Sequence, residues 1–216
     1  LYIQVKVKQM TELEIKKLLV RHFLEKYENF VVGSEFSFQF GERRADLALL
    51  NADCLSAFEI KGARDTVSRL SYQIESYKKF FDFCFVVCEP SNLAEVRTTI
   101  PRDVGILLAE SNGITHIRQS KQFKRHDKKV LSSALSVQKL MTLAKGSNLR
   151  SKHELCEYVS KINTVESLRM LSRREFNDRY GVASKLLKQE TTQHLTSDDI
   201  YTITKKAPSL LKRRIV

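Results

Sequence analysis

The sequence predicts a mixed α/β fold followed by a region that consists of helices alone. Through residues 1–119, segments with the two-residue alternation of strands are interspersed with segments that have the spacing of amphipathic helices. From residue 120 onward only the helical spacing recurs. With 216 residues and 42% hydrophobic content, the chain is long enough to bury a core. We therefore expect a sheet-containing core at 1–119 and an all-α appendage at 120–216.

The core is predicted to follow the order α-β-β-β-α-β-α-β-β. Thr11 and Glu14 form a capping box that begins the first helix. β-Branched and aromatic residues then predict a meander of three strands, with a tight turn at 51–53. Thr66 is expected to cap the second helix. The strands are expected at 31–40, 44–50, 54–61, 83–88, 104–109 and 114–118, and the helices at 12–28, 66–80 and 93–99.

The appendage is predicted to contain five helices, of which the last begins at Ser197 and Asp198. Breaks are expected at Gly146-Ser147-Asn148 and at Tyr180-Gly181, and Pro208 should limit the last helix. The first four helices are expected at 130–143, 152–162, 165–169 and 175–187.

The meander places three ionisable residues where they can act together. Asp46 lies in the second strand, and Glu59 and Lys61 end the third. Because side chains alternate between the faces of a strand, Glu59 and Lys61 share one side while Ile60 points into the core. The short hairpin between the two strands can bring Asp46 beside Glu59. The sequence thus predicts that three ionisable groups converge on one face.

A divalent cation would resolve the electrostatic conflict in this group. Two neighbouring carboxylates repel each other, and one lysine cannot neutralise both. Mg²⁺, for which Mn²⁺ can substitute, prefers carboxylate and carbonyl oxygens. We therefore expect Asp46, Glu59 and the carbonyl group of Ile60 to hold Mg²⁺. Lys61 would orient the attacking water or stabilise the charge that develops on a phosphate.

These residues resemble the PD-(D/E)XK, or restriction-endonuclease-like, nuclease superfamily, and in particular its small bacterial and phage members. The resemblance covers about residues 11–119 and implies a restriction-endonuclease-like mixed sheet flanked by helices. Ala45 stands where the superfamily pattern has Pro, which leaves the metal ligand unchanged. The matching segments are Arg44-Ala45-Asp46, Glu59-Ile60-Lys61, Arg64-Asp65-Thr66 and Arg69-Leu70, together with Glu35, Gln73 and Tyr77.

The resemblance also implies roles for residues outside the central motif. Glu35 is expected to supply a further carboxylate to the catalytic set, with Glu14 or Glu25 of the first helix as alternatives. Gln73 and Tyr77 are four residues apart and so share one face of a helix. In nucleases of the RecB-like branch, a Gln and a Tyr so placed face the site and position DNA. An ordinary amphipathic helix with Tyr77 in the core has the same spacing.

The positive charge is concentrated in the second half of the chain. Residues 1–119 hold 16 Lys+Arg and 16 Asp+Glu, whereas residues 120–216 hold 21 and 9, so the second half carries the whole net charge of +12. Neutralised phosphates release counterions, which supplies most non-specific affinity for nucleic acids. We therefore expect phosphate contacts from basic residues of the second half, namely Lys128, Lys129, Arg173, Arg174 and Arg213. Arg44 and Arg64, in the segments that carry the resemblance, are also expected to bind nucleic acid.

Together these features predict a Mg²⁺-dependent deoxyribonuclease that hydrolyses phosphodiester bonds with an activated water. Two alternatives stay open: a catalytically silent DNA-binding or complex-forming module that keeps the fold, and an RNA-processing nuclease. DNA is the expected partner, and RNA is not excluded. The sequence does not determine the oligomeric state, and a homodimer is compatible with it.

The sequence predicts a cytoplasmic protein without a membrane partner. No apolar run approaches the roughly 20 residues that cross a bilayer, and residues 1–9 alternate like a strand instead of forming a signal peptide. The cysteines lie in apolar or mixed segments without the spacing of a zinc site, so we expect reduced thiols in the core. They are Cys54, Cys84, Cys88 and Cys156.

Overall fold

The computed structural model describes residues 9–190 and 195–204. Its strands are β1 (Val31–Phe38), β2 (Arg43–Asn51), β3 (Cys54–Lys61), β4 (Phe83–Cys88), β5 (Gly105–Glu110) and β6 (Gly113–Arg118). They form one sheet in which each strand pairs with the next along the chain. The pairs β3–β4 and β4–β5 are parallel, and the other three pairs are antiparallel. The predicted mixed α/β class with a helical C-terminal part is confirmed.

Helices flank this sheet and follow it along the chain. They are α1 (Glu12–Lys26), α2 (Leu70–Lys78), α3 (Leu93–Thr99), α4 (Lys128–Ser133), α5 (Val137–Leu143), α6 (Lys152–Ile162), α7 (Val165–Glu190) and α8 (Ser197–Thr202). None of these described helices combines the length and the apolar character needed to cross a bilayer. Residues 1–8, most of the segment that is expected to alternate like a strand, lie outside the described residues, and so does Pro208.

Local sequence signals account for the first helix and the first hairpin turn. The Thr11 hydroxyl accepts a hydrogen bond from the Glu14 N–H at 3.2 Å, and the Glu14 carboxylate accepts from the Thr11 N–H at 2.7 Å, which confirms the capping box. Between β2 and β3, Ala52 (φ 47°) and Asp53 (φ 61°) both adopt the left-handed backbone that a type I′ turn requires. This two-residue turn sets the register of the hairpin.

The predicted break at Tyr180-Gly181 is wrong, because both residues lie inside the continuous helix α7. Tyr180 is buried, and its ring packs directly on Gly33 of β1, where a Cβ atom would lie 2.9 Å from the ring. In an isolated helix, glycine costs about 1 kcal/mol relative to alanine. Packing of α7 against the sheet outweighs this weak local preference.

Two further helix predictions differ from the structure. Helix α2 begins at Leu70, and its N-cap residue, Arg69, makes no side-chain cap hydrogen bond, so Thr66 is not the cap. The helix expected at 130–143 is divided into α4 and α5, because Ser136 has an extended backbone and its hydroxyl caps α5 by accepting from the Lys139 N–H. The second difference arises where a capping residue competes with helical periodicity.

The helices cover both faces of the sheet. On one face, α1 and α8 bury Phe23 and Ile203 in a cluster with Leu47 of β2. On the other face, α2 and the helices α4 to α7 join a larger cluster, in which the rings of Phe36 (β1) and Phe176 (α7) lie 5.1 Å apart. The described helices of the second half therefore share a hydrophobic core with the sheet. Their separate functional role stays a prediction.

A buried ionic group fastens α7 to the sheet. Asp82, just before β4, is fully buried and accepts the Leu55 N–H at 2.7 Å. Its two carboxylate oxygens also lie 2.6 Å from Arg169 Nε and 2.8 Å from Arg173 Nη2. Burial acts to raise the pKa of Asp82, but the charge of Arg173 and the hydrogen bonds from both arginines hold this pKa below its usual range. Asp82 therefore stays ionised at neutral pH.

Candidate active site

The candidate site lies where two neighbouring strands of the sheet separate. Pairing of β2 with β3 ends with Leu47 opposite Phe58, although β2 continues to pair with β1 and β3 continues to pair with β4. Asp46 and Glu59 are the next residues on the two sides of this split. The Asp46 carboxylate spans it, because its Oδ2 accepts the Ile60 N–H at 2.7 Å. The Asp46 side chain therefore bridges β2 and β3 at the point where their backbones stop pairing.

A local distortion of β1 places a further carboxylate beside the split. Glu35 has a left-handed backbone (φ 54°), which is uncommon for a residue other than glycine. It lies between two residues of β1, Ser34 and Phe36, that pair with Leu47 and Ala45 of β2. The same register therefore sets Glu35 opposite Asp46. Residues held in such sparsely populated conformations concentrate at functional sites.

Glu59 is the most fully bonded carboxylate of the site. It is 3% exposed, and its Oε1 accepts from Lys61 Nζ at 2.9 Å and from Gln73 Nε2 at 2.6 Å. Its Oε2 accepts from the Tyr77 hydroxyl. A carboxylate offers about four lone pairs, so three donors leave room for one further hydrogen bond or metal ligand bond. The structure thus brings Asp46, Glu59, Lys61 and Gln73 together, as the sequence predicts.

The pKa of Asp46 is raised, which indicates that too little positive charge lies near its carboxylate. Burial raises this pKa to about 8, the charge of Glu59 adds to the increase, and the hydrogen bond from Ile60 acts in the opposite direction. In the absence of a bound cation, Asp46 therefore keeps its proton to a higher pH than an ordinary aspartate does. A cation between Asp46 and Glu59 would favour the ionised form of Asp46.

Tyr77 does not lie where a contact with DNA requires it. Its side chain is 1% exposed, and its hydroxyl donates to Glu59 and lies 3.0 Å from the carbonyl oxygen of Arg44. Burial and the neighbouring carboxylates raise its pKa well above the usual range, so the hydroxyl keeps its proton. The predicted nucleic-acid contact is wrong for Tyr77, which instead orients Glu59 from inside the core.

Sequence reasoning missed two residues of α1 that reach the site. Glu12, Glu35 and Asp46 each offer an oxygen within 4.8 Å of the others, so Glu35 is joined by Glu12 and by neither proposed alternative. Glu14 is engaged in the capping box, and Glu25 lies on the exposed side of α1 far along the helix. The available signal was a lysine, Lys16, four residues after Glu12 within the otherwise apolar stripe of α1.

Buried polar groups hold the loop that follows Lys61. Glu89 is 5% exposed and accepts the Ala63 N–H at 2.6 Å and the Met10 N–H at 3.0 Å. The side-chain amide of Asn92 donates to the Gly62 carbonyl at 2.8 Å. The end of β3 and the start of α1 are therefore attached to the same carboxylate, which limits the movement of Lys61 relative to Glu12.

The chain matches, over residues 5–204, the family model described as Bacteriophage P4 protein cII. It belongs to this family. Protein cII of Enterobacteria phage P4 is 41% identical over 70 residues, which cover 32% of this chain and 26% of the relative. The match thus spans about a quarter of the relative's length. A solved protein of unknown function from Silicibacter pomeroyi is similar with a TM-score of 0.42 and 18% identity, covering 63% of this chain and 94% of the other.

In this member of the cII family, the predicted phosphate-binding residues have different surroundings. Arg44 is 64% exposed, with its Nε 2.6 Å from a Glu35 oxygen, so it lies at the edge of the split. Arg64 is exposed next to the end of β3, and its Nε donates to Gln9 at 3.0 Å. Arg174 is exposed, and Lys128 and Lys129 are partly exposed. Phosphate contacts of these residues stay predictions.

Arg173 corrects the charge-based prediction. It is 3% exposed, and its Nη2 binds Asp82 and the Phe80 carbonyl oxygen, both at 2.8 Å. Its charge is therefore used inside the protein and cannot reach a phosphate. Arg213 lies outside the described residues.

The cysteines have the properties expected of core thiols. All four are free thiols, and three of them are buried. Burial raises the pKa of each thiol, to about 11 for Cys88 and Cys156. The group of potential metal ligands found among the described residues, Glu12, Glu35 and Asp46, contains oxygen donors and no cysteine, so the oxygen-rich split is a better candidate for a hard cation than the cysteines are.

Proposed function

We propose that this member of the P4 cII family is a Mg²⁺-dependent nuclease with a PD-(D/E)XK-like site on a restriction-endonuclease-like sheet. The observation that carries the proposal is the convergence of Asp46, Glu59, Lys61 and Gln73 at the split between β2 and β3. Two carboxylates from adjacent strands, with a lysine two residues after the second, are the donor pattern of that superfamily. The raised pKa of Asp46 supports a cation at this place.

The donor set fits a hard cation. Asp46 and Glu59 offer carboxylate oxygens, and Ile60 would add its carbonyl oxygen, which are the ligand types that Mg²⁺ prefers. Mg²⁺ bound there supplies Lewis acidity and lowers the pKa of a water molecule. Tyr77 and Gln73 keep the Glu59 carboxylate in place.

Lys61 has the position required to act on the substrate. Its ammonium group is 2.9 Å from Glu59 Oε1 and its side chain is 13% exposed, so the charge is held in place at the border of the split. A fixed positive charge in a largely buried site stabilises the negative charge that develops on the phosphate in the transition state. Arg44, at the rim, would bind the flanking phosphate backbone.

The proposal is tested by incubating the purified protein with supercoiled plasmid, linear duplex DNA, single-stranded DNA and RNA. We expect DNA cleavage in Mg²⁺ or Mn²⁺ and none in EDTA. Cleavage of RNA alone would favour the RNA-processing alternative. Binding without cleavage of any substrate in either metal would support the catalytically silent module and contradict the proposal. Such an enzyme would act on DNA in the cytoplasm.

Affinity and chemistry are proposed to depend on different residues, which a salt series can separate. Changing Lys128, Lys129 and Arg174 to Gln should weaken DNA binding and lower the log–log salt slope by roughly 0.9 for each phosphate of duplex DNA that is no longer neutralised. Single-turnover cleavage at saturating DNA should stay close to the native rate. Lys61→Ala should leave the DNA affinity and the salt slope unchanged and should remove single-turnover cleavage, because Lys61 acts on charge that develops in the transition state.

A matched control for this experiment is Lys161→Gln, since Lys161 is 71% exposed on α6 and pairs with Glu157 on the same helix. It should change neither the affinity nor the slope. An unchanged affinity and slope in the triple variant would show that the positive charge of the helical region does not bind DNA.

A further inference from the structure

Lys16 is a lysine enclosed by the carboxylates of the candidate site. Its side chain is 7% exposed, and its Nζ lies 2.6 Å from Glu12 Oε1. The same Nζ donates a hydrogen bond to Glu35 Oε1. Glu12 and Glu35 are two of the three residues whose oxygens approach one another within 4.8 Å, and Asp46 is the third. The ammonium group thus occupies a position among oxygens that could hold a cation.

The position of Lys16 on α1 is costly without these partners. Its neighbours on the buried side of the helix, such as Ile15, Leu19 and Val20, are all apolar. Removing an ammonium ion from water costs several kcal/mol unless close carboxylates and hydrogen bonds compensate. Glu12 and Glu35 provide that compensation, and in return Lys16 reduces the repulsion between them.

The charges around the split are nearly balanced before any divalent cation binds. The site has three cationic side chains, and each has a carboxylate partner: Lys16 pairs with Glu12 and Glu35, Arg44 with Glu35, and Lys61 with Glu59. Asp46 is the remaining carboxylate of this group. With all these side chains ionised, the four carboxylates exceed the three cations by a single negative charge, and the oxygens of Glu12 and Glu35 already have a cation beside them in Lys16.

Space beside Lys16 lets a substrate approach its ammonium group. A cavity of about 350 Å³ is lined by Glu12, Lys16, Ser34 and Glu35, and by residues of α8 that include Tyr201. Ser34 also donates its N–H to the Ile203 carbonyl oxygen at 3.0 Å, which attaches the end of α8 to β1. A phosphate in this cavity would lie next to the ammonium group of Lys16.

We propose that Lys16 is a built-in cation that takes the place of a second metal ion, so that the site binds one divalent cation. This inference rests on the proposed nuclease function. In two-metal nucleases, the two ions stabilise the attacking and the leaving oxygens of the displacement. Here the fixed ammonium group supplies the second positive charge, and the divalent cation binds between Asp46 and Glu59.

Removing the charge of Lys16 should create a second cation site. Lys16→Met keeps most of the length and apolar contacts of the side chain and leaves Glu12, Glu35 and Asp46 without their ammonium partner. We expect calorimetry with Mn²⁺ to give about one ion per chain for the native protein and about two for Lys16→Met. The dependence of cleavage on Mn²⁺ concentration should change from first order to second order. Lys17→Met, on the next residue of α1, is the matched control and should behave as the native protein.

Folding of each variant is established separately. Far-UV circular dichroism and thermal melts show whether a variant is folded, and Lys16→Gln, with a shorter neutral side chain, repeats the measurement if Lys16→Met does not fold. Two Mn²⁺ ions bound to the native protein, or one bound to both folded Lys16 variants, would overturn the inference while leaving nuclease activity in place. Absence of Mn²⁺ binding and of cleavage in the native protein would overturn the proposed function, and the inference with it.

Discussion

Asp46→Asn should reduce metal-dependent DNA cleavage by about 10³-fold, which corresponds to about 4 kcal/mol of transition-state stabilisation. The amide keeps the size of the side chain and can still accept the Ile60 N–H, but it removes the negative charge that would bind Mg²⁺. Single-turnover rates in a Mg²⁺ series measure the effect. Asp53→Asn, in the exposed β2–β3 turn, is the control and should cleave at the native rate. Cleavage by Asp46→Asn at the native rate would show that Asp46 is not a metal ligand.

A stability measurement distinguishes the loss of a ligand from the loss of the fold. The pKa of Asp46 is about 8 in the folded protein, well above the value of about 3.9 for an unfolded Asp. Between these two values the folded state binds more protons, so in the absence of metal the free energy of unfolding should fall as pH rises from about 4 to about 8. Asp46→Asn removes this dependence. The variant should therefore unfold at a higher temperature than the native protein at pH 8, whereas a damaged fold would melt at a lower one.

Asp82→Asn should lower the free energy of unfolding by about 3–5 kcal/mol, because it leaves the guanidinium group of Arg173 buried without a counter-charge. Urea denaturation at pH 7 measures the change. Glu157→Gln, which breaks the exposed pair with Lys161 on α6, is the control and should have little effect. A loss below about 1 kcal/mol for Asp82→Asn would contradict the assignment of a buried ion pair between α7 and the sheet.

The same ion pair has a defined dependence on pH. Because the pKa of Asp82 is held below its usual range in the folded protein, its stabilisation is fully present above the unfolded value of about 3.9 and is lost as pH falls through the folded pKa. Arg173→Met should also destabilise the protein, since it leaves Asp82 with one arginine fewer. The double variant should lose less than the sum of the two single losses, as expected for residues in direct contact.

The bounds of elements whose conformation depends on residues close in the sequence were predicted well. The bounds of β3, β4, α3 and α6 agree with the predicted ones, because strand alternation, helical periodicity and capping act over a few residues. One error occurred where a distant contact accompanies the local conformation. Tyr180-Gly181 has the composition of a break, yet contact of Tyr180 with Gly33 keeps α7 continuous.

The sequence by itself determined the mixed α/β class and the placement of Asp46, Glu59 and Lys61 around one hairpin. Alternation along a strand and a two-residue turn are sufficient for that arrangement. Only the tertiary structure decided the partners of the remaining charged and polar groups. Arg173 pairs with Asp82 across 91 positions, and Lys16 pairs with Glu35 across 19. The net charge of the sequence includes all of these residues in the same way. Which distant segments pack together decides whether a charged side chain is free to bind a phosphate or is paired with another side chain.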